Sequence, residues 1–171
     1  MSTAARTGPR PDVTVERVIE ASPEQLYDLV SDLPRMGEWS PESEGGAWRG
    51  GATKAVVGAK FRGHNRIGWR RWATTCTVTE ARPGHAFGFD VTVGPFAVAS
   101  WHFELSAVAG ERRLTNVVQR YTDRRGRVKR LIGRLVTGVA DRSEHNHKTM
   151  TETLLRLGKV AEATNEVGST P

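Results

Sequence analysis

In the stretch DVTVERVIE, Asp12 to Glu20, the positions Val13, Val15, Arg17 and Ile19 alternate with Thr14, Glu16 and Val18. A period of two carried by β-branched residues predicts a strand. ASPEQ follows. Ser22 suits an N-cap, Pro23 the first helical position, and Gln25, three residues after the cap, completes a capping box. The helix it opens carries Leu26, Leu29 and Val30 on one face and stops near Asp32. A second short turn runs from Pro34 to Trp39 and ends at Pro41.

From Glu42 to about Asp123 no helical period survives. Strand-like runs fall at Glu44–Arg49, Ala59–Ile67, Arg70–Glu80, His85–Val93, Phe96–Ser106 and Arg112–Tyr121. Between them stand Gly50-Gly51, Gly68, Pro83-Gly84, Gly94-Pro95 and Gly110. Consecutive strands on short turns make an antiparallel meander. Arg127 to about Ala163 then reads as one long helix. The order predicts an α+β fold, a curved seven-stranded antiparallel sheet with two short helices after its first strand and one long C-terminal helix in its palm. A single domain over 12–163 is expected, with disordered ends at 1–11 and 164–171.

Alternation also assigns faces. Phe61, Gly63, Asn65 and Ile67 share the inner side of their strand, which leaves Arg62, His64 and Arg66 outside. Trp72, Thr74, Cys76 and Val78 go inward, as do Phe87, Phe89, Val91 and Val93. In the sixth run the inward set is Ala97, Ala99, Trp101, Phe103 and Leu105, with His102 outside. In the last strand we favour Val117, Gln119 and Tyr121 inside; the phase with Leu114, Asn116 and Val118 inside fits the same pattern. On the long helix, a step of about 100° per residue puts Val128, Leu135, Val139, Asn146, Met150, Thr153 and Leu157 on one stripe. The sequence SEHNHKTM contains His145-Asn146-His147, which invites a nuclease or metal reading. Histidines two apart on a helix point about 100° to either side of Asn146 and cannot converge on one ion, which needs a spacing of four. They are expected to be margin residues, and Glu144 and Lys148 an ordinary surface pair.

Composition narrows the classes further. The 171 residues are 37% hydrophobic and 26% charged, as in one water-soluble domain. No run is apolar enough to span a bilayer, and MSTAARTGPRPD lacks the apolar centre of a secretory signal, so a cytoplasmic location is expected. One cysteine, Cys76, excludes an internal disulfide and a multi-cysteine metal cage; it reads as a small buried apolar residue. The net charge of +6 gathers in Arg62, Arg66, Arg70 and Arg71, and again in Arg124, Arg125, Arg127, Lys129, Arg130 and Arg134. Such runs are most often solvated faces; a transient contact of Arg124, Arg125, Arg127, Lys129 and Arg130 with anionic membrane, or a basic adaptor binding RNA or the ribosome, is the alternative. Binding to nucleic acid is not the expected main role.

The opening strand with ASPEQLYDLVSD, the Trp39-Ser40-Pro41 turn, VGAKFRGHNRIGWRRWATTCTVTEARPGHAFGF, SWHFEL and NHKTMTETLLRLGKVAE resemble the START-like (SRPBCC) superfamily. This is the helix-grip or Bet v 1-like fold, and the likeness is to its bacterial polyketide cyclase/dehydrase-type members. The resemblance covers residues 12–163. It implies a cavity between sheet and long helix that takes a small hydrophobic molecule such as a polyketide, lipid or isoprenoid, without metal or cofactor, in a monomer or homodimer. The expected lining is Trp39 as a gate at the mouth, Phe61, Trp72, Phe89, Trp101, Phe103, Val139 and Met150, with polar contacts from Asn65, Gln119, Tyr121 and Asn146. A polyketide aromatase/cyclase or dehydratase is the alternative. It needs an acid and a base inside the cavity. Tyr121 is the one inward candidate acid, and the missing base favours a binding protein over an enzyme. A one-residue shift of phase in the third strand would bring Arg62, His64 and Arg66 inside.

Overall fold

The computed structural model of the chain describes residues 12–125 and 142–167. Seven strands, β1 (Val13–Glu20), β2 (Ser43–Arg49), β3 (Lys60–Ile67), β4 (Arg70–Arg82), β5 (Ala86–Val93), β6 (Phe96–Val108) and β7 (Glu111–Asp123), form one sheet. Every neighbouring pair is antiparallel, and the spatial order is β1-β7-β6-β5-β4-β3-β2. The meander is therefore continuous from β2 to β7, and β1 closes onto β7. Helix α1 (Pro23–Ser31) and a six-residue 3₁₀ helix (Leu33–Glu38) follow β1, and the long helix α2 (Arg142–Val167) lies on the inner face. This is the helix-grip architecture that the order of elements predicts. The expected start of the long helix at Arg127 lies outside the described residues. Its end is Val167, so Thr164 to Val167 are helical and not part of a tail.

The cap of α1 forms as expected on one side. Ser22 is extended (φ −72, ψ 154) and its hydroxyl accepts from the Gln25 backbone N–H at 3.2 Å. The return half of the capping box does not form. The Gln25 side chain donates instead to the Ala161 carbonyl at 3.0 Å, which ties α1 to α2. A backbone carbonyl near the end of a packed helix offers a better-shielded bond than the solvent-side N–H of the cap.

Bulges bend the sheet and reset its faces. One sits between Val78 and Glu80, so the inward phase of β4 passes from Thr74, Cys76 and Val78 to Ala81. Another lies between Val91 and Thr92 of β5, where β6 runs through the extra residue Val98. Val98, and not Ala97 as the alternation suggests, packs against the core. Val93, expected inside, is exposed where β5 ends. Elsewhere the register confirms the faces. Phe61 pairs with Cys76, Cys76 with Val91 and Val91 with Ala99; Tyr121 pairs with Trp101 and Trp101 with Phe89. Arg62, His64 and Arg66 are exposed, so the shifted phase of β3 does not occur.

Candidate functional site: the palm between sheet and long helix

Two rows of side chains cross the palm on the paired strands. Tyr121, Trp101 and Phe89 form one, and Gln119, Phe103 and Phe87 the next. The rings interlock: Trp101 lies 4.9 Å from Tyr121, Phe87 5.7 Å from Phe89, and Trp39 meets Phe103 edge-on at 6.1 Å and 87°. Such pairs each add roughly 0.5–1.5 kcal/mol beyond their burial. Phe61, Phe89, Phe103, Gln119, Tyr121, Asn146 and Met150 are all buried here, whereas Asn65, Trp72 and Trp101 are half-buried. Val139 lies outside the described residues. Trp39 is not at a mouth. With 2% of its surface exposed it is part of the core, because the 3₁₀ helix tucks it under β6.

The polar side chains divide into two groups. Asn65 donates to the Thr74 hydroxyl across β3 and β4 at 3.2 Å, a bond between neighbours that accounts for it structurally. Three other buried atoms have no hydrogen-bond partner among the described residues: Trp39 Nε1, Gln119 Oε1 and Asn146 Nδ2. Their residues are 2%, 4% and 1% exposed. They lie on three elements: Trp39 at the end of the 3₁₀ helix, Gln119 on β7 and Asn146 on α2. Trp39 rests on the Phe103 ring, and Gln119 is its cross-strand neighbour. Asn146 adjoins His145, whose Nε2 meets Glu42 Oε1 at 2.5 Å, three residues after Trp39. That bond also corrects the reading of His145 as a bare margin residue: it clamps α2 to the segment entering β2. His147 is exposed and stands on an open shallow groove between α2 and β1, with Asp12, Val13, Thr14, Glu144 and Lys148. Glu144 and Lys148 pair at 2.7 Å as expected.

The palm also holds a cation that the alternation missed. The inward phase of β7 continues from Gln119 and Tyr121 to Asp123, and Arg125 follows two residues on. Arg125 and Asp123 form a bidentate pair, at 2.8 and 3.0 Å, with both side chains only 11% exposed. The bond to Asp123 raises the Arg125 pKa above its ordinary value, and a hydrogen bond to Tyr121 acts in the same direction. The basic run predicts a solvated Arg125; the odd-numbered phase from Val117 onward is the signal that it turns inward. Arg124, on the other phase, is bound to Asp90. Neither contributes a free charge to the membrane contact expected of this run, and Arg127, Lys129 and Arg130 lie outside the described residues. Burial pushes the Cys76 thiol up to about 12, as suits a small apolar core residue. Among the described residues no group of three or more His, Cys, Asp or Glu side chains could hold a metal ion.

A profile described as "polyketide cyclase / dehydrase and lipid transport" matches residues 10–162. The chain belongs to this family. No curated protein matches it. Among solved structures, a polyketide-cyclase-like protein of Corynebacterium glutamicum is 27% identical over 96% of this chain and 99% of its own, with a TM-score of 0.57. A protein of Nitrosomonas europaea shares the fold at 9% identity and a TM-score of 0.65, over 90% and 96% of the two chains. The di-domain ARO/CYC StfQ of the steffimycin biosynthetic pathway aligns at 13% identity and a TM-score of 0.65, covering 90% of this chain and 46% of its own. No helix among the described residues is long and apolar enough to cross a membrane.

Proposed function

We propose that the palm binds a small, mostly apolar molecule of polyketide, lipid or isoprenoid type that carries an oxygen function. The observation that carries this reading is the trio of unpartnered atoms Trp39 Nε1, Gln119 Oε1 and Asn146 Nδ2. A buried donor or acceptor left without a partner costs roughly 1–3 kcal/mol, and three in one core are unusual unless something else meets them. An indole N–H can only donate, so the group facing Trp39 must accept. A hydroxyl or carbonyl oxygen answers that need, and the surrounding Phe103, Phe89, Tyr121 and Met150 supply an apolar body-site.

Native mass spectrometry of the protein after mild purification from its host tests the reading. A retained lipid or aromatic ketone or phenol is the expected result. An empty protein that also fails to take up 2-naphthol, a small apolar phenol, refutes it. A cyclase reading is favoured by one feature, the buried Tyr121 side chain with the Arg125 guanidinium as its electrostatic neighbour. A phenol held by a cation is suited to giving up a proton to an enolising ketone. Turnover of a poly-β-ketone chain by the wild type but not by Tyr121→Phe distinguishes it from simple binding.

A further inference from the structure

One end of the palm is plugged. Tyr27 of α1 stands edge-on to Phe87 at 6.3 Å, and a side chain added at Gly84, in the β4–β5 turn, would meet Glu24 of α1 at 3.1 Å. The β3–β4 and β5–β6 turns lie at the opposite end, and they hold large apolar side chains that are half or more exposed, or nearly so. Trp69 is 83% exposed, the highest value for a large apolar residue among those described; Phe96 is 51% and Val93 45% exposed.

Local geometry explains why Trp69 stands so far out of the core. Ile67 pairs with Arg70, so Gly68 and Trp69 are the whole loop, and Gly68 has φ +58, the left-handed value that a two-residue turn with glycine first requires. The hairpin also outruns its neighbour. Val93 and Phe96 close the β5–β6 turn opposite Thr74, and β4 projects four residues further to Arg70, about 13 Å at the usual rise. The projecting arm is cationic. From Lys60 to Thr79 the chain has no acidic residue but contains Lys60, Arg62, Arg66, Arg70 and Arg71. Arg70 lies over the Trp69 ring at 4.6 Å, and Arg66 and Arg71 share one carboxylate, Glu44, at 3.2 and 3.4 Å.

We propose that this edge docks on an anionic bilayer surface, with Trp69 seated among the headgroups, Phe96 and Val93 beside it, and Arg66, Arg70 and Arg71 against lipid phosphates. Tryptophan is the side chain most at home at a membrane interface, and arginine stems lie along apolar surface while their charges reach the phosphates. A narrow tip with one indole buries little area against a folded protein, yet it penetrates a headgroup layer without any complementary pocket. Charge complementarity selects the anionic leaflet. One face of the indole is already covered by Arg70, which argues against a stacking platform for nucleobases. The proposal concerns the docking edge alone and stands whether or not the palm takes a ligand.

Flotation of the full chain with vesicles tests it, using phosphatidylcholine alone and phosphatidylcholine with about a third phosphatidylglycerol. Binding to the anionic vesicles is expected, with a blue shift in tryptophan emission. Trp69→Ser should weaken it on the order of tenfold with an unchanged melting temperature, since the side chain is 83% exposed and no part of the core. Arg70→Ser and Arg71→Ser should each cost about fivefold and flatten the salt dependence. Failure to float with anionic vesicles overturns the proposal, as does a Trp69→Ser variant that floats like the wild type. Binding of a single-stranded oligonucleotide that is lost in Trp69→Ser, without vesicle binding, overturns it in favour of a nucleic-acid surface.

Discussion

Replacing Asn146 with leucine should make the ligand-free protein more stable and a worse binder. Asn146 is 1% exposed, and its Nδ2 atom has no partner among the described residues. An amide donor buried in this way costs roughly 1–3 kcal/mol relative to solvent. Leucine has nearly the same branching and length, so it fits the stripe with Met150 and Leu154 without a new cavity and removes the stranded donor. The expected gain is about 2 kcal/mol, or about 4–8 °C in melting temperature for a chain of this size. The loss appears in binding. One hydrogen bond to a ligand oxygen contributes about 0.5–1.5 kcal/mol, so affinity for 2-naphthol should fall about 2- to 12-fold. Thermal denaturation without ligand and titration of the intrinsic fluorescence read the two effects separately. A drop in melting temperature would refute the reasoning, because it would show that Asn146 holds the fold together through its amide. Such opposed changes are the usual mark of a group kept for function at the expense of stability.

Other substitutions test the remaining parts of the argument. Asp123→Ala strands the Arg125 guanidinium in a site that is only 11% exposed, and should cost about 3 kcal/mol in urea denaturation. The double variant Asp123→Leu with Arg125→Met should recover much of that; equal loss in both would mean that the pair is not the cause. Gly46→Ala places a Cβ 2.0 Å from the Arg62 carbonyl oxygen in the β2 bulge, so the β2–β3 pairing must break or shift. It should lower stability by several kcal/mol, of the order seen for severe overpacking, and a melting temperature within a few degrees of wild type would contradict the register. The Cys76 thiol, whose pKa rises from 9.0 to about 12 by burial, should resist a thiol reagent until the protein unfolds. A raised folded pKa gives stability that is full below pH 9 and lost as pH climbs towards 12. Wild type should therefore lose more stability than Cys76→Ala over that window, and parallel curves would exclude the thiol as the source.

Much of the palm was legible because the code that writes it is local. The alternation in HAFGFDVTV and SWHFEL placed Phe87, Phe89, Trp101, Phe103 and Leu105 on the inner face, and the phase of the long helix placed Asn146, Met150, Thr153 and Leu157 against the sheet. The same helical phase separated His145 from His147 and removed the apparent metal pair. What escaped was whatever breaks a period or depends on a distant partner. A bulge costs one residue and leaves no composition signal, so Val98 displaced Ala97 from the core unannounced. Arg125 was grouped with its basic neighbours because charge alone says surface, although the strand phase pointed inward.

The sequence by itself determined the order of elements, the capped first helix, the faces of β4 to β6 up to their bulges and the resemblance to a helix-grip family, because period, turn chemistry and capping act over a few residues; it left the phases of β3 and β7 open. Only the tertiary structure decided that Trp39 is core and not gate, and that Gln25 reaches Ala161, 136 positions away. It alone decided that His145 clamps Glu42 across 103 positions, and that Trp39 Nε1, Gln119 Oε1 and Asn146 Nδ2 are buried without partners among the described residues. Those outcomes depend on which surfaces meet once the sheet has curled around the helix, and no local pattern records a meeting between segments a hundred residues apart.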